Sequence, residues 1–138
     1  MTALAPIGRV MFALIFIFTA PNHFKQDMIQ HAAAAGTPLA NILVPVSGIL
    51  ALVGGLSVAL GFHARWGAVA LILFLVPVTL VMHRFWGLDD PQQAQMQLIN
   101  FMKNTALIGG AALIAYHGAG AFSFDSRAHR EPLVLHHG

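Results

Sequence analysis

Long apolar stretches separated by short polar loops dominate this chain. Three of them cover residues 4–20, 39–62 and 66–82, and a fourth, less cleanly apolar stretch covers residues 96–118. A helix that crosses a bilayer needs about 20 mostly apolar residues. The pattern therefore predicts four membrane-spanning helices. Pro77, inside the third stretch, is compatible with this prediction because neighbouring helices can satisfy the carbonyl that it frees.

The composition indicates an all-α integral membrane protein that forms a four-helix bundle. Hydrophobic residues make up 57% of the 138 residues and charged residues 9%, with a mean hydropathy of +0.72. Soluble domains carry about 25% charged residues. The seven Lys and Arg residues form no run, which excludes nucleic-acid binding. The absence of cysteine excludes disulfides, thiolate catalysis and iron–sulfur ligation.

The first apolar stretch has two interpretations. It ends at Thr19-Ala20, which resembles a weak signal-peptide cleavage site, but its start carries only Arg9 as a charged residue. We favour a retained first helix, because its removal would leave three spans with an odd topology.

The distribution of Lys and Arg predicts the orientation, since these residues favour short cytoplasmic loops. Lys25 and Arg84 lie on one side of the four spans. The other side holds Arg9, Arg65, Arg127 and Arg130. We therefore expect both termini in the cytoplasm, with residues 119–138 as a flexible cytoplasmic tail.

Lys103 is the residue that a membrane should tolerate least. A lysine at the centre of a span costs about 2.5–3.5 kcal/mol on insertion scales. It lies about 10 Å along a helix that starts near Met96, so its ammonium could also reach the headgroups. Gln97, Asn100 and Asn104 recur at three- and four-residue spacing, and Lys103 adjoins them. We expect one polar stripe that points into the bundle.

The topology brings the ends of the first and third helices and the start of the fourth to one depth. The candidate ligand-binding residues there are His23, His83, Trp86, Asn100, Lys103 and Asn104. Histidine exchanges protons near neutral pH. Together with Trp86 and apolar walls, the set suits a planar ligand with two carbonyls, such as a quinone head group. Arg9 and Arg84 are expected to be structural.

Haem is the alternative ligand, because two histidines on separate helices could hold its iron. However, the sequence has no CxxCH attachment signal, and neither His23 nor His83 forms an HxxxH pair. The sequence therefore favours quinone over haem and predicts no metal site.

The ends of the first and third spans are similar to each other. Asn22-His23-Phe24 closes the first and His83-Arg84-Phe85-Trp86 follows the third, and a loop with acidic residues comes after each. Two helix hairpins related by an axis along the membrane normal would give this pattern.

Taken in order, these motifs resemble those of the DoxX family. They are Arg9, Asn22-His23-Phe24, Gly61-Phe62, His83-x-Phe85-Trp86, Phe101-Met102-Lys103-Asn104 and Gly109-Gly110. The resemblance covers about residues 8–115 and implies a four-helix protein of the bacterial inner membrane. Members are similar to DoxD, the membrane subunit of an archaeal thiosulfate:quinone oxidoreductase, and some are linked to oxidative-stress complexes. The positions that match are Arg9, His23, His83, Trp86, Lys103 and Asn104.

Two classes of function remain open. The first is a redox-associated membrane subunit, part of an oxidoreductase, that binds quinone near the outer leaflet. Since no electron-carrying motif is visible, this function requires a redox partner subunit. The second is a non-catalytic scaffold or assembly factor in which the polar cluster locks the bundle. A small transporter would require a homo-oligomer, and in every case the lipid bilayer is a partner.

Overall fold

The structure, a computed structural model, describes residues 1–129, and every regular element within them is helical. The elements are α1 (Leu4–Thr19), a 3₁₀ helix that continues it (Ala20–Phe24), α2 (Gln26–Ala34), α3 (Ala40–Leu60), α4 (Ala64–Met82), α5 (Pro91–His117) and α6 (Phe124–Ala128). Four segments are long and apolar enough to cross a membrane: Leu4–Phe24, α3, α4 and α5. The predicted four-helix, all-α membrane architecture is confirmed.

The fourth span begins five residues before the predicted start. Asp90 caps α5, since its side chain accepts a hydrogen bond from the Gln92 backbone N–H at 3.0 Å, and Pro91 occupies the first turn. Both residue types are favoured at helix starts. The apolar pattern begins only at Met96, because the first turns of α5 carry mostly polar side chains.

Small residues set the spacing between the long helices. A Cβ on Gly54 of α3 would lie 2.9 Å from the Leu71 side chain of α4, and one on Gly55 would lie 3.1 Å from Phe16 of α1. On α5, a Cβ at Gly110 would lie 3.0 Å from the ring of Phe12. Packing drives helix association in lipid, so these glycines allow the close contacts that hold the bundle together.

The bundle has two polar ends, which we name after one residue of each. The Arg9 end carries the start of α1, the turn between α3 and α4, and the segment after α5. The His83 end carries the 3₁₀ helix, α2 and the loop before α5. This arrangement follows from the order of the four spans.

The segment after α5 differs from the predicted flexible tail. In residues 119–129, Ala119 and Ser123 are buried, and α6 starts with a capping box between Ser123 and Ser126. Hydrogen bonds of Arg9 and Asp125 hold residues 119–129 against the ends of the bundle helices. The rest of the predicted tail, residues 130–138 with Arg130 and the pair His136-His137, lies outside the described residues.

Candidate functional site

His83 lies directly after α4 and is half-buried. Its Nδ1 is 2.9 Å from Oε1 of Gln97 on α5. Because the amide oxygen can only accept, Nδ1 carries the proton in the neutral ring, and Nε2 is left as an acceptor. The hydrogen bond links the end of α4 to the first turns of α5.

An aromatic cluster lies beside His83 at the same end. The rings of Phe85, Trp86 and Phe101 meet edge to face, with centroids 5.2–6.1 Å apart. This geometry is the preferred one for aromatic pairs. Trp86 keeps 50% of its surface exposed, so it forms the outer wall of the cluster.

His23 lies in the 3₁₀ helix and packs closely against α3. A Cβ on Gly48 would be 2.6 Å from the Cβ of His23, so the glycine makes room for the histidine. Nδ1 of His23 is 3.1 Å from Oγ of Ser47, whose hydroxyl donates to the Val44 carbonyl at 2.6 Å. Oγ therefore accepts from Nδ1–H, and Nε2 of His23 is again the acceptor nitrogen.

Asn104 is the most deeply buried polar side chain on α5. The residue is 5% exposed, and its amide forms no side-chain hydrogen bond within residues 1–129. No fully buried side-chain N or O atom in that range lacks a partner. The amide atoms of Asn104 therefore account for the small exposed part. These partly exposed amide atoms offer a ligand both a donor and an acceptor.

The two histidines lie at different depths, which corrects the expectation of a single level. Asn104 is seven residues beyond Gln97, about 10 Å below the level of His83. The ring of His23 contacts Phe74 at 5.4 Å, and Phe74 lies nine residues before His83, about 13 Å below it. His23 and Asn104 thus share an inner level. Two histidines that bind one metal ion bring their nitrogens within about 4 Å of each other. His23 and His83 lie too far apart in depth to bind the same metal ion.

Lys103 does not join the inward stripe, and the expectation that it points into the bundle is wrong. Asn104 is buried, and Gln97 and Asn100 are half-buried, whereas Lys103 is exposed. Successive residues of a helix are about 100° apart, which places Lys103 beside the stripe rather than on it. Helical side chains tilt toward the N-terminus, here the His83 end, so the ammonium reaches toward the headgroups.

Arg84 is also exposed. Of the candidate residues, His83 and Asn100 therefore lie at the outer level, His23 and Asn104 at the inner level, and Trp86 in the aromatic cluster beside His83.

Arg9, at the opposite end, is 6% exposed and fully engaged. Its Nη1 donates to the Ala119 carbonyl at 2.6 Å, its Nη2 to the Phe122 carbonyl at 2.9 Å, and its Nε to the Ala59 carbonyl at 3.4 Å. The structural role predicted for Arg9 thus takes a specific form: it ties the end of α3 to the segment after α5.

At the Arg9 end, the side chains of Asp125 and Arg65 form hydrogen bonds with backbone groups at the ends of helices. Both carboxylate oxygens of Asp125 accept from the first amides of α4, at 2.7 Å from His63 N and 3.0 Å from Ala64 N. Arg65 donates to the Ala115 and Tyr116 carbonyls at the end of α5. The sequence did not predict these contacts. Each charged side chain binds backbone groups that are far away along the chain, and such partners produce no recognisable spacing of residues in the sequence.

The fold and these polar ends define a four-helix membrane protein with buried polar side chains at both ends of the bundle. The chain belongs to the DoxX family, whose profile matches residues 4–84. This match covers the first three spans, and α5 lies beyond it.

The relatives extend the comparison over most of the chain. Inner membrane protein YphA of Escherichia coli is 29% identical over 123 residues, 88% of this chain and 87% of YphA. Inner membrane protein YqjF of the same organism is 29% identical over 121 residues, 86% of this chain and 87% of YqjF. ER-derived vesicles protein ERV29 of Saccharomyces cerevisiae is 24% identical over 79 residues, 57% of this chain and 25% of ERV29.

No solved structure matches the chain significantly. The family, the relatives and the four spans together identify the chain as a multi-pass inner membrane protein.

Proposed function

We propose that this DoxX-family protein binds a small planar ligand with two oxygen groups, of the quinone–quinol class, at the His83 end. The observation that carries the proposal is the Asn104 amide, which is buried in a membrane span, forms no hydrogen bond within residues 1–129 and keeps a small exposed area. Polar groups in a membrane interior are costly, and a ligand would offset that cost.

The available donors and acceptors favour a ligand that can both donate and accept. The NH₂ group of Asn104 donates to a carbonyl oxygen. Nε2 of His23 and of His83 accepts a proton from a hydroxyl when the ring is neutral. A half-reduced or reduced head group satisfies both, whereas a fully oxidised quinone has no proton to give to the imidazoles.

The two levels of the site also suit the shape of such a ligand. Asn104 and His83 are separated by about 10 Å along the bundle. A six-membered ring with oxygens on opposite sides, extended by a hydrogen bond of about 2.8 Å at each oxygen, spans a comparable length. Trp86 at the rim would cover the outer edge of the ring.

The chain's own residues supply binding and proton acceptance. Electrons would pass to or from a partner subunit with its own redox centre, so any oxidoreductase activity belongs to a complex. Lys103, on the exposed face, takes no part in this proposal.

Quenching of Trp86 fluorescence by a short-chain ubiquinol or ubiquinone tests the proposal. A Trp66→Phe background leaves Trp86 as the single tryptophan. We expect saturable quenching with tighter binding of the quinol. Asn104→Leu should weaken binding about tenfold, the effect of one lost hydrogen bond of about 1.4 kcal/mol.

Lys103→Met is the matched control, because it lies next to Asn104 in sequence but on the exposed face. Its affinity should equal that of the parent. Binding that is not saturable, or that is unchanged in Asn104→Leu, contradicts the proposal.

The second candidate is a non-catalytic scaffold, and the hydrogen bonds of the histidines favour it. Each ring already holds a neighbouring helix, His23 through Ser47 and His83 through Gln97. If the cluster only locks the bundle, Asn104→Leu should leave cellular phenotypes intact. His83→Phe would then cost only its single hydrogen bond.

A further inference from the structure

A groove of about 370 Å³ opens at the Arg9 end, between the first turn of α4, the last turn of α5 and the segment that follows. Basic and aromatic side chains dominate its lining. Its residues include His63, Arg65, Trp66, His117, Gly118 and His129. This is a different part of the molecule from the quinone site proposed above.

Arg65 presents one edge of its guanidinium toward Gly118. Its Nη1 is engaged with carbonyls at the end of α5, which holds the group in place. A Cβ on Gly118 would lie 3.2 Å from Nε and 3.3 Å from Nη2 of Arg65. The Gly118 backbone therefore packs against that side of the guanidinium, and the exposed part of Arg65 that lines the groove is what a ligand can reach. A guanidinium N–H donates a strong, charge-assisted hydrogen bond to a phosphate oxygen.

The acidic residue of the groove is already engaged. Both oxygens of Asp125 accept from the first amides of α4, including that of His63, which adopts a left-handed φ of +50°. Asp125 thus fixes one histidine at the groove while its own charge is directed at a helix N-terminus. Nδ1–H of His129 donates to the Asp125 carbonyl at 2.8 Å, so Nε2 of the neutral ring is an acceptor and this hydrogen bond holds His129 at the edge of the groove.

The groove lies at the level where the spans α4 and α5 end. Trp66 lines it and is 73% exposed, and the neighbouring Tyr116 is 77% exposed. Exposed Trp and Tyr at the ends of spans mark the headgroup region of a bilayer. Cationic side chains at this depth meet lipid phosphates.

We propose that this groove binds the phosphate of an anionic phospholipid headgroup, with the exposed part of the Arg65 guanidinium and the His117 ring as its contacts. Trp66 packs against the lipid at the mouth of the groove. The site would select anionic over zwitterionic lipid in the leaflet that meets the Arg9 end.

Quenching of Trp66 by brominated lipids tests this proposal. A Trp86→Phe background leaves Trp66 as the single tryptophan, and the full chain is reconstituted in phosphatidylcholine vesicles. Either brominated phosphatidylglycerol or brominated phosphatidylcholine is then added as a minor component. We expect about a fivefold preference for phosphatidylglycerol, the effect of one engaged cation.

Variants separate the groove from general surface charge. His117→Gln should lower the preference, and Arg65→Gln should lower it further because it removes the positive charge that meets the phosphate. His31→Gln, on α2 at the opposite end, should keep it. The proposal is overturned if both brominated lipids quench equally, or if all groove variants keep the parent's preference. Loss of the preference on adding inorganic phosphate would also overturn it, by identifying free phosphate as the ligand.

Discussion

Single residues at the two ends of the bundle show what a sequence reveals about buried polar groups and what it hides. The inward positions of Asn100 and Asn104 followed from their helical spacing. The outward position of Lys103 did not, because one residue step turns a helix face by about 100°. Arg9 was recognisable as a polar residue in a span, but its partners are backbone carbonyls 50 to 113 residues away. Such partners carry no sequence signal.

Arg9→Leu should destabilise the bundle by about 2–4 kcal/mol, because four carbonyls lose a charged donor. Arg9→Lys should recover part of this loss, since lysine keeps the positive charge but lacks the planar set of N–H donors of the guanidinium. Thermal unfolding in detergent measures both effects. Arg84→Leu, at an exposed position, should stay within about 0.5 kcal/mol of the parent. Equal stability of Arg9→Leu and Arg84→Leu would show that the Arg9 contacts contribute nothing.

Gly61→Ala should lower the free energy of unfolding more than Gly87→Ala does. Both glycines have positive φ, +67° and +76°. A Cβ on Gly61 would overlap Ser123, whereas one on Gly87 has open space around it. Each variant therefore loses about 1–2 kcal/mol to backbone strain, and Gly61→Ala loses about 1–3 kcal/mol more to overpacking. Denaturant unfolding of the pair isolates the contact with Ser123. Equal losses would mean that the segment after α5 does not pack on Gly61.

At the scale of elements, the spans were predictable and the connections between them were not. Hydropathy located three spans to within a few residues, and the fourth was missed only where its first turns are polar. The similarity between the ends of the first and third spans has a structural counterpart. His23 bonds to Ser47 on α3 and His83 bonds to Gln97 on α5, so each histidine contacts the long helix that follows it. The docked segment after α5 was interpreted as a tail because its sequence contains Gly and Ser and is charged.

The docking of that segment depends on Asp125. Asp125→Ala should cost about 1–2 kcal/mol, the usual effect of removing a helix cap. Hydrogen exchange should then rise in residues 119–128 and in the first turn of α4. Asp125→Asn keeps one acceptor oxygen and should show a smaller change. Asp89→Ala, at an exposed position of a loop at the other end, serves as the control. Unchanged exchange in Asp125→Ala would contradict the capping role.

At the scale of the whole molecule, four spans place the start of α1 and the end of α5 on the same side of the membrane. Which side depends on the balance of Lys and Arg. The Arg9 end has four such residues in the sequence: Arg9, Arg65, Arg127 and Arg130. The His83 end has Lys25 and Arg84, and it gains Lys103 if that side chain reaches the headgroups as its position favours. The balance still favours a cytoplasmic Arg9 end, now by one residue.

Single cysteines can test this topology directly, because the chain contains none. Thr2→Cys and Ala128→Cys report on the Arg9 end, and Gln30→Cys and Gln93→Cys on the His83 end, all at exposed positions. In cells with a permeabilised outer membrane, a maleimide that cannot cross the inner membrane should label only the second pair. Labelling of only the first pair would reverse the orientation and place the ligand site at the cytoplasmic face. Labelling of Thr2→Cys without Ala128→Cys, or the converse, would contradict the four-span bundle itself.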